Sequence, residues 1–190
     1  MRVLIVYASK YGSTGEVASA IEEVLTTRGK HVDTHDALSA PAPTGYDAVI
    51  VGSGVYVGSW LKAAASYLET HAEALRERPV WLFGVGPLGF DDPQPAGDPD
   101  QAPTLVERVA ARAYVTFTGA LDRSRLSLVD RMITRVVKAP DGDFRDWGAI
   151  RAFAHDVADA LETGAAAPVS RPSAPVASAR HAAVDAGGRS

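Results

Sequence analysis

A chain of 190 residues with net charge −4, five histidines and no cysteine is long enough for one domain with a full core and too weakly charged to suggest a nucleic-acid binder. The missing cysteines exclude disulfides, iron–sulfur clusters and thiolate-bound zinc. No apolar run approaches a membrane span and no basic-then-apolar leader is visible, so the expectation is a cytoplasmic protein.

In chain order, Val3–Tyr7 is predicted as a buried apolar strand that breaks into Ala8-Ser9-Lys10-Tyr11-Gly12-Ser13-Thr14. A helix is predicted over Gly15–Thr27, with Val17, Ile21 and Val24 on one face and Gly29 beyond its end. Strand, glycine- and hydroxyl-rich loop, then helix aims backbone amides, the Ser9, Ser13 and Thr14 hydroxyls and a helix dipole at one spot. Such a spot suits a phosphate monoester. Only Lys10 is basic there and no Gly-Lys-Ser/Thr ending is present, which excludes a nucleoside-triphosphate loop. The alternative is an ordinary helix start capped by Ser13 or Thr14.

His31–His35 reads as a second strand, in which the two histidines stand roughly 13 Å apart, too far for one metal; no metal site is expected. Ala48–Gly52 is a continuous apolar strand, as in a parallel sheet covered on both faces. The following loop, Ser53-Gly54-Val55-Tyr56-Val57-Gly58-Ser59-Trp60, sets aromatic rings among glycines, so Tyr56 or Trp60 is a candidate platform for a flat ring. Trp60–Leu75 has helical spacing, with Leu61, Ala65, Leu68, His71/Ala72 and Leu75 as its apolar stripe. Val80–Val85 is the fourth strand.

The segment Gly84-Val85-Gly86-Pro87-Leu88-Gly89 spells Gly-x-Gly-x-x-Gly, but Pro87 and Asp91-Asp92-Pro93 open no helix, so a dinucleotide fold is not indicated. The loop is expected instead to supply amides and a wall for the ligand. Strand three ends in Ser53 rather than an aspartate, which excludes a response-regulator receiver. After the loop Pro87–Pro103, a helix over Thr104–Ala111 and a strand over Tyr114–Gly119 complete alternating β and α units. The expected architecture is a doubly wound five-stranded parallel sheet of order 2-1-3-4-5, helices on both faces, with its ligand crevice between strands one and three.

Asp122–Lys138 is predicted as an added helix. It carries Leu126, Val129, Met132, Ile133, Val136 and Val137 on one half and Arg131, Arg135 and Lys138 on the other. The pattern fits a basic amphipathic helix on an anionic membrane; the more ordinary alternative is a solvated face over a core-packing stripe. A final helix spans Trp147–Leu161. Residues 1–162 form the expected domain, and the Ala/Pro/Ser-rich stretch 163–190 is expected to be a disordered tail.

The pattern of Ser9, Gly12, Thr14 and Ala18 resembles the flavodoxin signature, which implies FMN with its 5′-phosphate in the first loop. The site residues so implied are Ser9, Lys10, Tyr11, Gly12, Ser13, Thr14, Ser53, Gly54, Val55, Tyr56, Gly58, Trp60, Gly84, Val85, Gly86, Pro87 and Gly89, with no side chain named as catalytic. Gly52–Gly58, Thr118-Gly119-Ala120-Leu121, Asp130-Arg131-Met132 and Asp146-Trp147 are similar to the menaquinone-dependent protoporphyrinogen IX dehydrogenases, over roughly residues 1–162. That similarity implies an FMN oxidoreductase passing electrons from substrate to a quinone; the basic face of Arg131, Arg135 and Lys138 adds the expectation of a peripheral contact at the inner face of the membrane. The rival is a flavodoxin-type carrier serving protein partners, with no substrate of its own.

Overall fold

The computed structural model describes residues 1–56, 58–86, 98–121 and 142–164. β1 (Arg2–Ala8), β2 (His31–Asp36), β3 (Ala48–Tyr56), β5 (Val80–Val85) and β6 (Ala113–Phe117) form a sheet of order β2-β1-β3-β5-β6. Every pairing along it is parallel. This is the expected 2-1-3-4-5 arrangement, with a two-residue strand, β4 (Ser59–Trp60), turned back antiparallel onto the end of β3.

Because both faces are covered, successive residues of β1 enter two different cores. Val3 and Ile5 pack with α1 (Ser13–Thr27) and α5 (Trp147–Thr163), beside Phe83, Phe117 and Phe153. Leu4, Val6 and Ala8 join the other core, with α2 (Lys62–Thr70), α3 (Ala72–Arg76) and α4 (Ala102–Val109). Gly52 is required in the first core: a Cβ there would overlap the Phe83 ring.

Several predicted boundaries are corrected. The helix predicted over Trp60–Leu75 is two helices meeting at His71, whose φ of −112° and ψ of 17° leave the helical region. Trp60 lies ahead of them, in β4. The buried residues are Ala64, Tyr67, Leu68 and Leu75, so the stripe runs through Ala64 and Tyr67 rather than Ala65 and His71. The helix predicted from Thr104 begins at Ala102 and ends before Ala110, which adopts a left-handed φ of 49°. β6 stops at Phe117. Beyond it Ala120–Leu121 (β7) and Gly142–Asp143 (β8) pair antiparallel and bracket residues 122–141. The predicted helix Asp122–Lys138, including Arg131, Arg135 and Lys138, lies outside the described residues, as does most of the predicted tail. α5 continues to Thr163 and is capped at its start by Asp146, whose Oδ1 accepts from the Ala149 amide at 2.9 Å.

Candidate functional site

The ends of β1 and β3 meet in register, Ala8 beside Ser53, where the strand order reverses. From there the chain of β1 curls through Ser9–Gly12 into α1. The curl is held by Ser9 Oγ, which accepts from the Gly12 amide at 2.9 Å. α1 starts two residues earlier than predicted. Its N-cap is Gly12, at φ 95° and ψ −24°, and no side chain caps it. Ser13 and Thr14 are therefore in the first helical turn rather than capping it, and that turn's amides have no intrahelical acceptor. A phosphate monoester fits such a cradle, because glycine at the cap leaves the approach clear and the dipole favours an anion. Thr14 is 1% exposed. Its Oγ1 is turned toward Gly54, where a Cβ would lie 3.3 Å from it.

Tyr56, at the end of β3, is 38% exposed. Its ring centroid stands 6.4 Å from that of Tyr11, and Lys10 Nζ lies 5.3 Å from the Tyr11 ring centre and 5.5 Å from that of Tyr56. Loop and strand end thus bring together Lys10, Tyr11 and Tyr56, an aromatic and cationic wall beside the open helix end. A Cβ at Gly54 would meet Tyr56 Cε2 at 3.1 Å, so the glycine lets the tyrosine ring lie close. Gly58, at φ 71°, turns β3 into β4.

Other predicted site residues have structural duties. Trp60 is 5% exposed, and its Nε1–H donates to the Tyr114 hydroxyl at 2.8 Å. It is a core residue rather than a second platform. Burial pushes the Tyr114 phenol up to about 12, so its hydroxyl stays protonated. Ser53 is fully buried; its Oγ accepts from the Leu61 amide and donates to the Gly54 carbonyl, both at 2.9 Å. Val55 pairs with Trp60 across the turn and packs on the α2–α4 core. Gly84 makes room for Tyr114, whose hydroxyl would be 2.6 Å from a Cβ there. Val85 belongs to the core against α1 and α5. The Gly86 amide donates to the Phe117 carbonyl at 2.9 Å. The expectation that 84–86 offers free amides is therefore corrected: those groups close the sheet. Pro87 and Gly89 lie outside the described residues.

One residue at this end was missed by sequence reasoning. Arg145 is 7% exposed in its side chain. It forms a fork with Asp143, Nε to Oδ1 at 2.8 Å and Nη2 to Oδ2 at 2.7 Å. Its Nη1 donates to Glu16 Oε2 at 2.7 Å and to the Ser13 carbonyl at 3.4 Å, and its guanidinium lies 4.4 Å from the Trp147 ring centre. The Arg145 guanidinium holds the Asp143 carboxyl below the usual carboxylate range. Thr118 Oγ1 donates to the Phe144 carbonyl, and the Phe144 amide to that of Gly119 at 3.1 Å. The segment leaving β8 is thereby tied to the end of β6 and to the first turn of α1. The only available cue was an arginine between Asp143 and Asp146 just before a helix, which does not reveal its distant partner.

A doubly wound parallel sheet with an open helix end at its switch point is the architecture of a mononucleotide-binding flavodoxin fold. A flavodoxin-domain family model matches residues 4–147, and the chain belongs to that family; FMN is its cofactor. Protoporphyrinogen IX dehydrogenase [quinone] of Escherichia coli strain K12 is similar, 23% identical over 175 residues that cover 83% of this chain and 95% of that one. Among solved structures, a flavodoxin from the domain Archaea superposes with a TM-score of 0.59 at 14% identity, over 85% of this chain and 99% of that one. The rubredoxin oxygen:oxidoreductase of Desulfovibrio gigas superposes with a TM-score of 0.56 at 16% identity over 85% of this chain, which spans only 36% of that larger protein. No helix among the described residues is long and apolar enough to cross a membrane.

Proposed function

We propose that this protein is an FMN-dependent oxidoreductase of the protoporphyrinogen IX dehydrogenase type, passing electrons from a porphyrinogen to a quinone. The observation that carries the reading is the β7–β8 bracket, which frames an added segment between β6 and α5. The similarity to the Escherichia coli dehydrogenase covers nearly that protein's whole length. In this reading Ser9, Ser13, Thr14 and the first-turn amides of α1 hold the FMN phosphate, with Gly12 leaving the approach open. Lys10 and Tyr11 flank the loop, and Tyr56, with Gly54 and Gly58 shaping its turn, presents an aromatic face to the flavin ring. Held there, FMN would supply two-electron redox chemistry, so that each cycle would move two electrons and two protons from the porphyrinogen to the quinone, giving quinol. The chain's own part is to bind, orient and shield the cofactor. The basic residues Arg131, Arg135 and Lys138 of the added segment would give it a peripheral contact with an anionic membrane, where a quinone resides.

An anaerobic mixing experiment tests this. Oxidised holoprotein combined with protoporphyrinogen IX should lose its flavin absorbance, and menaquinone should restore it over repeated cycles. If porphyrinogen leaves the flavin oxidised while a reduced protein partner bleaches it, the chain is an electron carrier and the enzyme reading falls.

A further inference from the structure

Glu16 stands in the first turn of α1, one helical step from the amides that cradle the phosphate in the reading above. A carboxylate there favours the bare helix through the dipole, but it repels a second anion at the same end. Arg145 faces it with a guanidinium that is almost wholly buried and reaches Glu16 Oε2, the Asp143 carboxylate and the Ser13 carbonyl at once. The planar fork suits this three-way contact, which a lysine's single ammonium cannot reproduce. Glu16 itself is half exposed and shares the Arg145 guanidinium with Asp143, so its charge is only partly offset toward an anion at this helix end.

We propose that Arg145 is a positioning and specificity-determining residue for the FMN phosphate, acting by neutralising Glu16 and fixing the Ser13 carbonyl, so that the loop discriminates flavins bearing a phosphate from those without one. The inference rests on the placement of the phosphate at residues 9–14. It adds a consequence that placement alone lacks: the strand-and-turn segment carrying the added residues 122–141 controls cofactor affinity through a charge located outside the loop. The Arg145 guanidinium is turned to Glu16, Asp143 and the Ser13 carbonyl, so its influence is exerted at the phosphate end.

The test compares FMN with riboflavin, which shares the ring and lacks the phosphate. Titrated by flavin fluorescence, Arg145→Met should weaken FMN binding about tenfold, the size expected for an unscreened carboxylate close to a dianion, and leave riboflavin within about twofold. Adding Glu16→Gln to Arg145→Met should restore part of the FMN affinity, the Asp143 carboxylate remaining without its guanidinium. Glu16→Gln alone, at a half-exposed site, should raise the preference for FMN over riboflavin, and it decides the matter if Arg145→Met does not fold. Equal loss of both flavins in Arg145→Met, with no recovery on adding Glu16→Gln, would show a merely structural strut. An unchanged preference in Glu16→Gln alone would overturn the proposal. Wild-type protein that binds FMN and riboflavin alike would instead remove the phosphate site itself, a separate outcome.

Discussion

Gly12→Ala is expected to lower FMN affinity by about ten- to a hundredfold while leaving the flavin-free protein folded, with only a slightly reduced melting temperature. Gly12 sits at φ 95° as the N-cap of α1, where a side chain is strained by roughly 1–3 kcal/mol. The chain can relieve that strain only by reshaping the curl that Ser9 Oγ holds through the Gly12 amide. Reshaping it turns the first amides of α1 away from their common focus, and a phosphate that depends on several converging donors loses them together. Because Gly12 is exposed and touches neither core, the global fold pays little. Flavin titration beside thermal melts of the flavin-free protein checks this; unchanged FMN affinity would place the phosphate elsewhere.

The largest effect on stability is expected at Gly52. A methyl group there overlaps the ring of Phe83, which is fully buried and wedged against Phe117 and Phe153 at centroid distances of 6.1 and 6.4 Å. With aromatic neighbours on both sides the ring has nowhere to go, so β3 and β5 must move apart. Gly52→Ala should therefore cost about 3 kcal/mol, a fall of roughly 6–12 °C in melting temperature for a domain of this size. Phe83→Leu in the same chain should recover part of the loss by shortening the obstructing side chain. A melting temperature within a degree or two of the wild type would contradict the packing described here. Since β3 leads directly to Gly54 and Tyr56, FMN affinity should fall with stability.

Much of the fold is legible in the sequence because its strands are buried on both faces. Val3–Val6, Ala48–Val51 and Val80–Val85 read as unbroken apolar runs, and glycine-marked loops separate them from amphipathic helices. The loop proposed to hold the phosphate stands out for a different reason: its hydroxyls and Gly12 lie at fixed offsets behind a strand. The region after β3 was less so. Residues 53–60 look like an open loop in composition, yet backbone pairing of Val55 with Trp60 and Tyr56 with Ser59 continues the strand and folds it back. That change carries Trp60 inward to Tyr114, 54 residues away, a partner that no local periodicity encodes. The Gly84–Gly86 stretch misled in a similar way. Its glycines accommodate Tyr114 and the Val55 backbone, demands made by neighbouring strands rather than by a ligand. Arg145 and Glu16 lie 129 residues apart, and their meeting depends on α5 lying beside α1.

The placement of the phosphate at residues 9–14 is tested most directly by titrating the flavin-free wild-type protein with FMN and with riboflavin under identical conditions. Charge-assisted hydrogen bonds from the loop should make FMN bind at least about tenfold more tightly than riboflavin. Indistinguishable affinities for the two flavins would contradict the account.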